Sequence, residues 1–178
     1  MLHGGLSALG CLLAAAVLVV AIPAPHAAEP VAISYRADLD ALARLAPYPP
    51  VAPSGLPAAW QPVGSGLAVG GANGAGTVTW HLDYATPDGT LASLEETNAN
   101  AAAFVRRMTN NGTALRPSQS APSRVNGQTW DLSATPARGQ RSMYLTSPAG
   151  FTVVVTGNAG WAELRQLAAS LRPIAARP

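Results

Sequence analysis

The clearest pattern of apolar and polar positions lies near the C-terminus. The run at residues 151–156 is apolar and β-branched and is bounded by Gly150 and Gly157, which predicts a strand buried on most of both faces. The segment after it has apolar residues at the spacing of one helix face, namely Trp161, Leu164, Leu167, Ala168 and Leu171. Asn158 is the expected N-cap of this helix. The stretch therefore predicts a sheet with a helix packed on it.

A second pattern is the alternation at residues 77–84. It predicts a strand with one apolar and one polar face, with Val78, Trp80, Leu82 and Tyr84 on the first and Thr79, His81 and Asp83 on the second. A turn at residues 86–89 leads to a return strand at 90–97, and a helix capped by Asn98 or Asn100 follows. In that return strand Glu95 and Glu96 point to opposite faces, so they do not form a carboxylate pair.

Together these patterns predict an α+β domain in which an antiparallel sheet is packed with two main helices, behind an N-terminal transmembrane helix. Shorter elements are also expected. They are a helical pattern at residues 37–46, an edge strand around residues 67–69, a strand at 113–116 and a hairpin that turns at Asn126 and Gly127.

The N-terminal apolar run begins at Leu6 and ends at Ile22, and these 17 residues carry no charge. The length is at the short end of what crosses a bilayer. A single-span membrane anchor is the preferred interpretation, and a cleaved secretory signal or a buried core helix are the alternatives. The first two place the rest of the chain outside the cytoplasm, at the cell membrane or secreted.

Residues 47–57 contain five prolines and predict an extended, semi-rigid spacer. The chain is accordingly divided into a signal anchor at residues 1–28, a proline-rich tether at 29–59 and an extracytoplasmic α+β domain at 60–178. Trp60 follows the spacer directly, and its ring is expected to close the edge of the core, with ligand stacking as the alternative.

Composition narrows the functional classes. The net charge is +2, all 11 basic residues are arginine, and no basic stripe interleaves with aromatic residues, so no nucleic-acid partner is predicted. The single cysteine, Cys11, lies in the apolar run, so no intrachain disulfide is possible. A metal site needs three or four convergent ligands, whereas only His81 and Asp83 stand together here. No cofactor, metal ligand or catalytic residue is therefore predicted.

Four residues remain as candidate contacts to a ligand or a partner: Trp60, His81, Asp83 and Trp130. His81 and Asp83 share one strand face, and a solvated polar surface is the simplest interpretation of the pair. A hydrolytic or metal-dependent site is its alternative.

Several short motifs resemble the DUF4245 family of uncharacterised actinobacterial membrane proteins. Besides the N-terminal apolar span they are Pro53-Ser-Gly-Leu-Pro-Ala-Ala-Trp60, Trp80-His-Leu-Asp-Tyr-Ala-Thr-Pro87, Asn126-Gly-Gln-Thr-Trp130 and Thr152-Val-Val-Val-Thr-Gly157. The resemblance implies a membrane-anchored domain and brings no catalytic residue with it. The order of strands and helices is also loosely similar to envelope domains of the PsbP/Mog1 type, which bind other proteins.

Three functions are consistent with these patterns. The preferred hypothesis is a membrane-anchored, non-catalytic binding or assembly module of the cell envelope, whose partners are the membrane, through the segment from Leu6 to Ile22, and an envelope protein. The first alternative is a carrier of a small molecule or lipid in a pocket between sheet and helices. The second is a hydrolase that uses His81 and Asp83.

Overall fold

The computed structural model describes residues 31–70, 76–118 and 123–174. These residues form three α-helices and eleven strands: α1 (Arg36–Leu45), β1 (Val51–Pro53), β2 (Gln61–Gly70), β3 (Thr77–Ala85), β4 (Leu91–Thr97), α2 (Ala101–Met108), β5 (Thr113–Leu115), β6 (Arg124–Val125), β7 (Gln128–Thr129), β8 (Asp131–Thr135), β9 (Gln140–Thr146), β10 (Thr152–Gly157), α3 (Trp161–Ser170) and β11 (Leu171–Pro173). The predicted anchor lies outside the described residues. None of the described helices is long and apolar enough to cross a membrane.

The main sheet has seven antiparallel strands in the order β2-β3-β4-β10-β9-β8-β5. This confirms the predicted α+β class with an antiparallel sheet. β10 lies in the middle and pairs with both β4 and β9, and five of its six residues are buried. The valines of the predicted central strand thus supply side chains to both faces of the sheet.

One face of the sheet carries the hydrophobic core. A row of buried apolar side chains crosses five strands through direct cross-strand pairs: Leu82, Leu94, Val155, Met143 and Leu132. α1 and α3 cover this face with fully buried leucines, and each such leucine contributes roughly 2 kcal/mol before entropy costs.

The opposite face of the sheet is polar and is covered in part by α2. Asn100 caps this helix, because its Oδ1 accepts a hydrogen bond from the Ala103 amide at 3.0 Å. Polar side chains of the sheet fix the last turn: Thr135 Oγ1 donates to the Thr109 carbonyl at 2.7 Å, and Gln140 Nε2 donates to the Met108 carbonyl at 2.6 Å. The described residues therefore contain three helices on two sides of the sheet, rather than two main ones.

The segment predicted to be a tether is packed on the domain where the structure describes it, from residue 31 onward. Leu42 of α1 is fully buried, and Tyr48 and Ala52 are nearly so. β1 pairs with β11, and we call residues 46–53 the strap. An extended, proline-rich segment can form either a short edge ribbon or a spacer. Here the burial of Tyr48 shows that the segment packs on the domain as a ribbon.

The start of α3 differs from the prediction. The N-cap is Gly160, whose amide donates to Glu163 Oε2 at 2.9 Å, and the helix begins at Trp161. The prediction of Asn158 as the cap was wrong, because its Oδ1 accepts a hydrogen bond from the Leu91 amide at 2.7 Å and so ties the loop to β4.

Gly157 ends β10 at a position that a side chain cannot occupy. Its φ is 153°, and a Cβ there would lie 2.0 Å from the Leu91 carbonyl oxygen.

We expect Gly157→Ala to lower the free energy of unfolding by about 1–3 kcal/mol, measured by urea denaturation. Gly70→Ala is the control, because a Cβ at Gly70 meets no atom of the described residues within 4 Å. Equal stability of the two variants would contradict this account.

Candidate functional site

The predicted pair His81 and Asp83 lies on the polar face of β3. Direct cross-strand pairs place Glu95 beside His81 and Ser93 beside Asp83, and we call these four residues the polar patch. Ser93 Oγ donates to Asp83 Oδ1 at 2.6 Å, while the His81 ring is exposed. The only hydroxyl of the patch is thus bound to a carboxylate and not to the imidazole.

The neighbouring edge strand is shaped by this patch. A Cβ at Gly66 would lie 2.5 Å from His81 Cε1, and one at Gly64 would lie 2.7 Å from Asp83 Oδ2. Glycine at both positions leaves the space into which the two side chains lean.

Glu95 is a half-buried carboxyl of the patch. Its pKa is raised to about 7, by burial first and by the Asp83 carboxylate second, although Arg107 of α2 lowers it. The Arg107 guanidinium itself lies 5.5 Å from the centre of the Phe104 ring. In the described part of the chain, no three His, Cys, Asp or Glu side chains are grouped so as to hold a metal ion.

The two predicted tryptophans are both buried, but in different places. Trp60 packs edge-on against Tyr84 with ring centres 6.0 Å apart, which fits the prediction of a ring that closes the core. Trp130 lies between the β6–β7 hairpin and β8, and it lines a cavity to which Trp60 does not contribute. The indole N–H of each has no hydrogen-bond partner among the described residues. The four predicted contacts therefore do not form one site.

The cavity beside Trp130 has a volume of about 150 Å³. We call it the Trp130 cavity. Its walls are mainly apolar and come from the strap, the hairpin, β9, β10, α3 and β11, with Val51, Asn126, Gln128, Trp130, Leu145, Ser147, Phe151, Val153, Ala168, Leu171 and Pro173 as the lining residues.

A buried carboxylate lies behind one wall of this cavity. Glu96 is 0% exposed, and its Oε2 accepts a hydrogen bond from the Val51 amide at 3.0 Å. Its cross-strand neighbour on β10 is Val153, so Val51 and Val153 contact the cavity on one side and flank the carboxylate on the other. Acidic side chains are almost never buried in this way without a partner.

The environment of Glu96 is unfavourable to a negative charge. Burial raises its pKa to about 7, and the Val51 amide and the nearby Tyr48 phenol offset part of the rise. Tyr48 and Glu96 nevertheless do not meet in a regular hydrogen bond, since Tyr48 Oη and Glu96 Oε1 both lack a partner among the described residues. Burial, followed by the charge of Glu96, raises the pKa of Tyr48 as well. The Tyr48 ring stacks on Phe151 with centres 4.8 Å apart.

The family of the chain follows from its similarity to known proteins. A family model described as protein of unknown function (DUF4245) matches residues 5–171. The chain belongs to the DUF4245 family. No curated protein and no solved structure matches it.

Sequence reasoning placed Glu95 and Glu96 of this DUF4245 protein on opposite faces, which the structure confirms, but it did not single out Glu96. The signal was present: Ala92, Leu94 and Glu96 share one parity in β4, so the carboxylate falls on the apolar face. The Trp130 cavity could not be found in this way, because its walls come from residues as far apart as Val51 and Pro173.

The raised pKa values of Glu95 and Glu96 predict that the free energy of unfolding falls as pH rises. Each carboxyl has its pKa raised from 4.5 to about 7 in the folded state, so the folded protein binds these protons more tightly than the unfolded chain between those values. Their stabilising effect is complete below about pH 4.5 and is lost by about pH 7, which for Glu96 amounts to about 3 kcal/mol.

The matched variants Glu96→Gln and Glu95→Gln separate the two contributions. We expect each to remove its own part of the decline in unfolding free energy between pH 4.5 and 7.5, measured by urea denaturation, with the larger effect for Glu96→Gln because Glu96 is fully buried. A wild-type stability that rises with pH over this range would contradict the assignment.

Proposed function

We propose that this DUF4245 protein is a non-catalytic binding or assembly module of the cell envelope, tethered to the membrane by its N-terminal apolar run, and that its binding element is the Trp130 cavity. In this proposal the cavity receives one apolar side chain of a partner protein. The folded domain lies outside the cytoplasm.

The size of the cavity carries the proposal. Sites for whole small molecules usually enclose about 300–1,000 Å³, whereas a cavity of about 150 Å³ accommodates a group the size of benzene. A lipid or a typical small ligand would not fit in the Trp130 cavity, so its size favours the anchoring of a single side chain there. Interfaces between proteins commonly depend on a few such anchors seated in pockets.

The polar patch gives little support to the hydrolase hypothesis. A serine nucleophile needs a base within hydrogen-bond reach, and Ser93 donates to Asp83 instead of to His81. The patch fits better with a solvated surface beside α2.

The placement at the membrane is supported by sequence. The uncharged run of 17 residues from Leu6 to Ile22 suits a single span, and the described domain begins soon after it with α1. The loose likeness to PsbP/Mog1-type envelope domains, which bind proteins, agrees as fold analogy alone.

Filling the cavity tests whether it binds apolar groups. We expect fluorobenzene to bind the wild-type protein saturably, seen as a shifted or broadened ¹⁹F NMR resonance, and Ala168→Leu to abolish binding because the larger side chain occupies the cavity. Ala162→Leu is the matched control, since Ala162 lies on the exposed side of the same helix and does not line the cavity. Circular dichroism establishes that both variants are folded. Equal binding by wild type and Ala168→Leu would contradict the proposal.

Photo-crosslinking tests the partner in the cell. A photoreactive residue in place of Gln128, an exposed residue of the cavity wall, is expected to trap a partner in the membrane fraction when the full chain is expressed in its own cells. Ala168→Leu should remove the crosslinked species and Ala162→Leu should leave it. The same residue in place of His81, on the opposite face, should not give this species. A product that appears equally from His81, or that survives Ala168→Leu, would count against the cavity as the binding element.

A further inference from the structure

The geometry points to β1 as a movable wall of the Trp130 cavity, held closed by Glu96 while the carboxyl is protonated and released when it ionises. The inference rests on the proposed function only for what the cavity receives. The movement itself depends on the contacts of the strap.

Few backbone hydrogen bonds attach the strap to the rest of the domain. Among the described residues, β1 pairs only with β11, in a two-stranded ribbon separate from the main sheet. Both strands contain a proline that cannot donate to the ladder. Around it, the Ser54 amide donates to the Ser170 carbonyl at 3.0 Å and the Ile174 amide donates to the Pro50 carbonyl at 2.8 Å. A ribbon of this size is marginally stable by itself, so its contacts with the domain decide its position.

Val51 links the cavity to the buried carboxylate. It contributes to the cavity wall, and its amide is the donor to Glu96 Oε2. Moving Val51 away would at once enlarge the cavity and open a path for water to Glu96. The free Oε1 of Glu96 and the free Oη of Tyr48 are then hydrated, whereas in the closed form neither has a partner among the described residues.

Few groups near Glu96 could stabilise a negative charge on its carboxyl. The strands on either side place Trp80 and Val153 next to it, and the strap places Val51 and Tyr48 there. The covering helices carry three acidic residues, Asp38 and Asp40 of α1 and Glu163 of α3, and none is without a partner. Asp38 accepts a hydrogen bond from Ser65 Oγ, and Glu163 accepts one from the Gly160 amide. Among the described residues, the Tyr48 side chain lowers the pKa of the Glu96 carboxyl.

Two effects oppose each other when Glu96 ionises. The carboxylate accepts a stronger hydrogen bond from the Val51 amide, which favours the closed strap. Burial of the charge away from water favours the open one. Burial is the larger effect, because the pKa of Glu96 in the closed form is raised to about 7 rather than lowered.

The sign of the pH dependence follows from this comparison. If water restores an ordinary pKa of about 4.5 in the open form, the opening equilibrium rises with pH from about 4.5 to about 7 and is constant above that. The total change is up to roughly 300-fold. Acid therefore closes the cavity wall, and neutral or basic conditions release it.

Hydrogen exchange on the full-length protein tests the movement without any ligand. After correction for intrinsic exchange, we expect the Val51 and Ile174 amides to lose protection relative to β3 between pH 5 and 8, by about 70-fold. In Glu96→Gln the protection of these amides should not depend on pH, and in Glu95→Gln it should change as in the wild type. Strap protection that is independent of pH in the wild type, or that also becomes independent in Glu95→Gln, would overturn the inference.

Tyr48→Phe provides a second variant that keeps the ring and its stacking on Phe151. Because the Tyr48 phenol lowers the pKa of Glu96, its removal should move the midpoint of strap release to higher pH. An unchanged or lower midpoint would contradict the role of Glu96.

The two proposals fail in different ways. Strap protection that depends on pH as expected, in a protein that does not bind fluorobenzene, supports the movable wall and contradicts the proposed function. Fluorobenzene binding together with pH-independent protection overturns the movable wall and leaves the proposed function standing.

Discussion

The central constraint of this fold is the burial of β10 on both of its faces. A strand of three consecutive valines between two paired neighbours leaves apolar surface above and below the sheet. Helices are therefore needed on both sides, and the chain supplies α1 and α3 on one side and α2 on the other. The cross-strand register then decides which side chains share a face, and with it where any chemistry can be located.

The acidic residues on the two faces of the sheet lie in different environments. On the polar face, Glu95 belongs to a row that runs from His81 to Asp131 through direct pairs, and it is partly shielded by α2. On the apolar face, Glu96 stands between Trp80 and Val153, where an apolar residue would fit the pattern. A buried polar group in such a position usually lowers stability, and its presence behind the wall of a cavity is the feature of the core that packing alone does not explain.

The sequence predicted what depends on local pattern. The alternation in β3, the β-branched run of β10 and the Asn126-Gly127 turn each describe neighbouring residues, and each was found, with positive φ at both turn positions.

The position of the strap could not be predicted from local pattern. Its prolines describe an extended chain equally well in solvent or in a ribbon, and the choice depends on β11, which lies more than a hundred residues later. The N-cap of α3 could not be predicted from local pattern either. The Asn158 side chain could accept a hydrogen bond from the start of the helix or from β4, and in the structure it accepts one from the Leu91 amide of β4. The candidate site was only partly accessible for the same reason: Trp130 was singled out, but the cavity beside it exists only once distant segments meet.

The pairing of β1 with β11 also has a consequence for how the domain is made. The strand that follows α1 finds its partner only in residues 171–173, after every strand of the main sheet has been synthesised. During synthesis the early segment remains with Tyr48 and Ala52 uncovered, and contacts this distant in sequence form slowly. Completion of the fold is therefore a late event, reached only when almost the whole polypeptide has emerged, and a chain interrupted shortly before residue 171 would assemble its sheet yet leave its core unsealed.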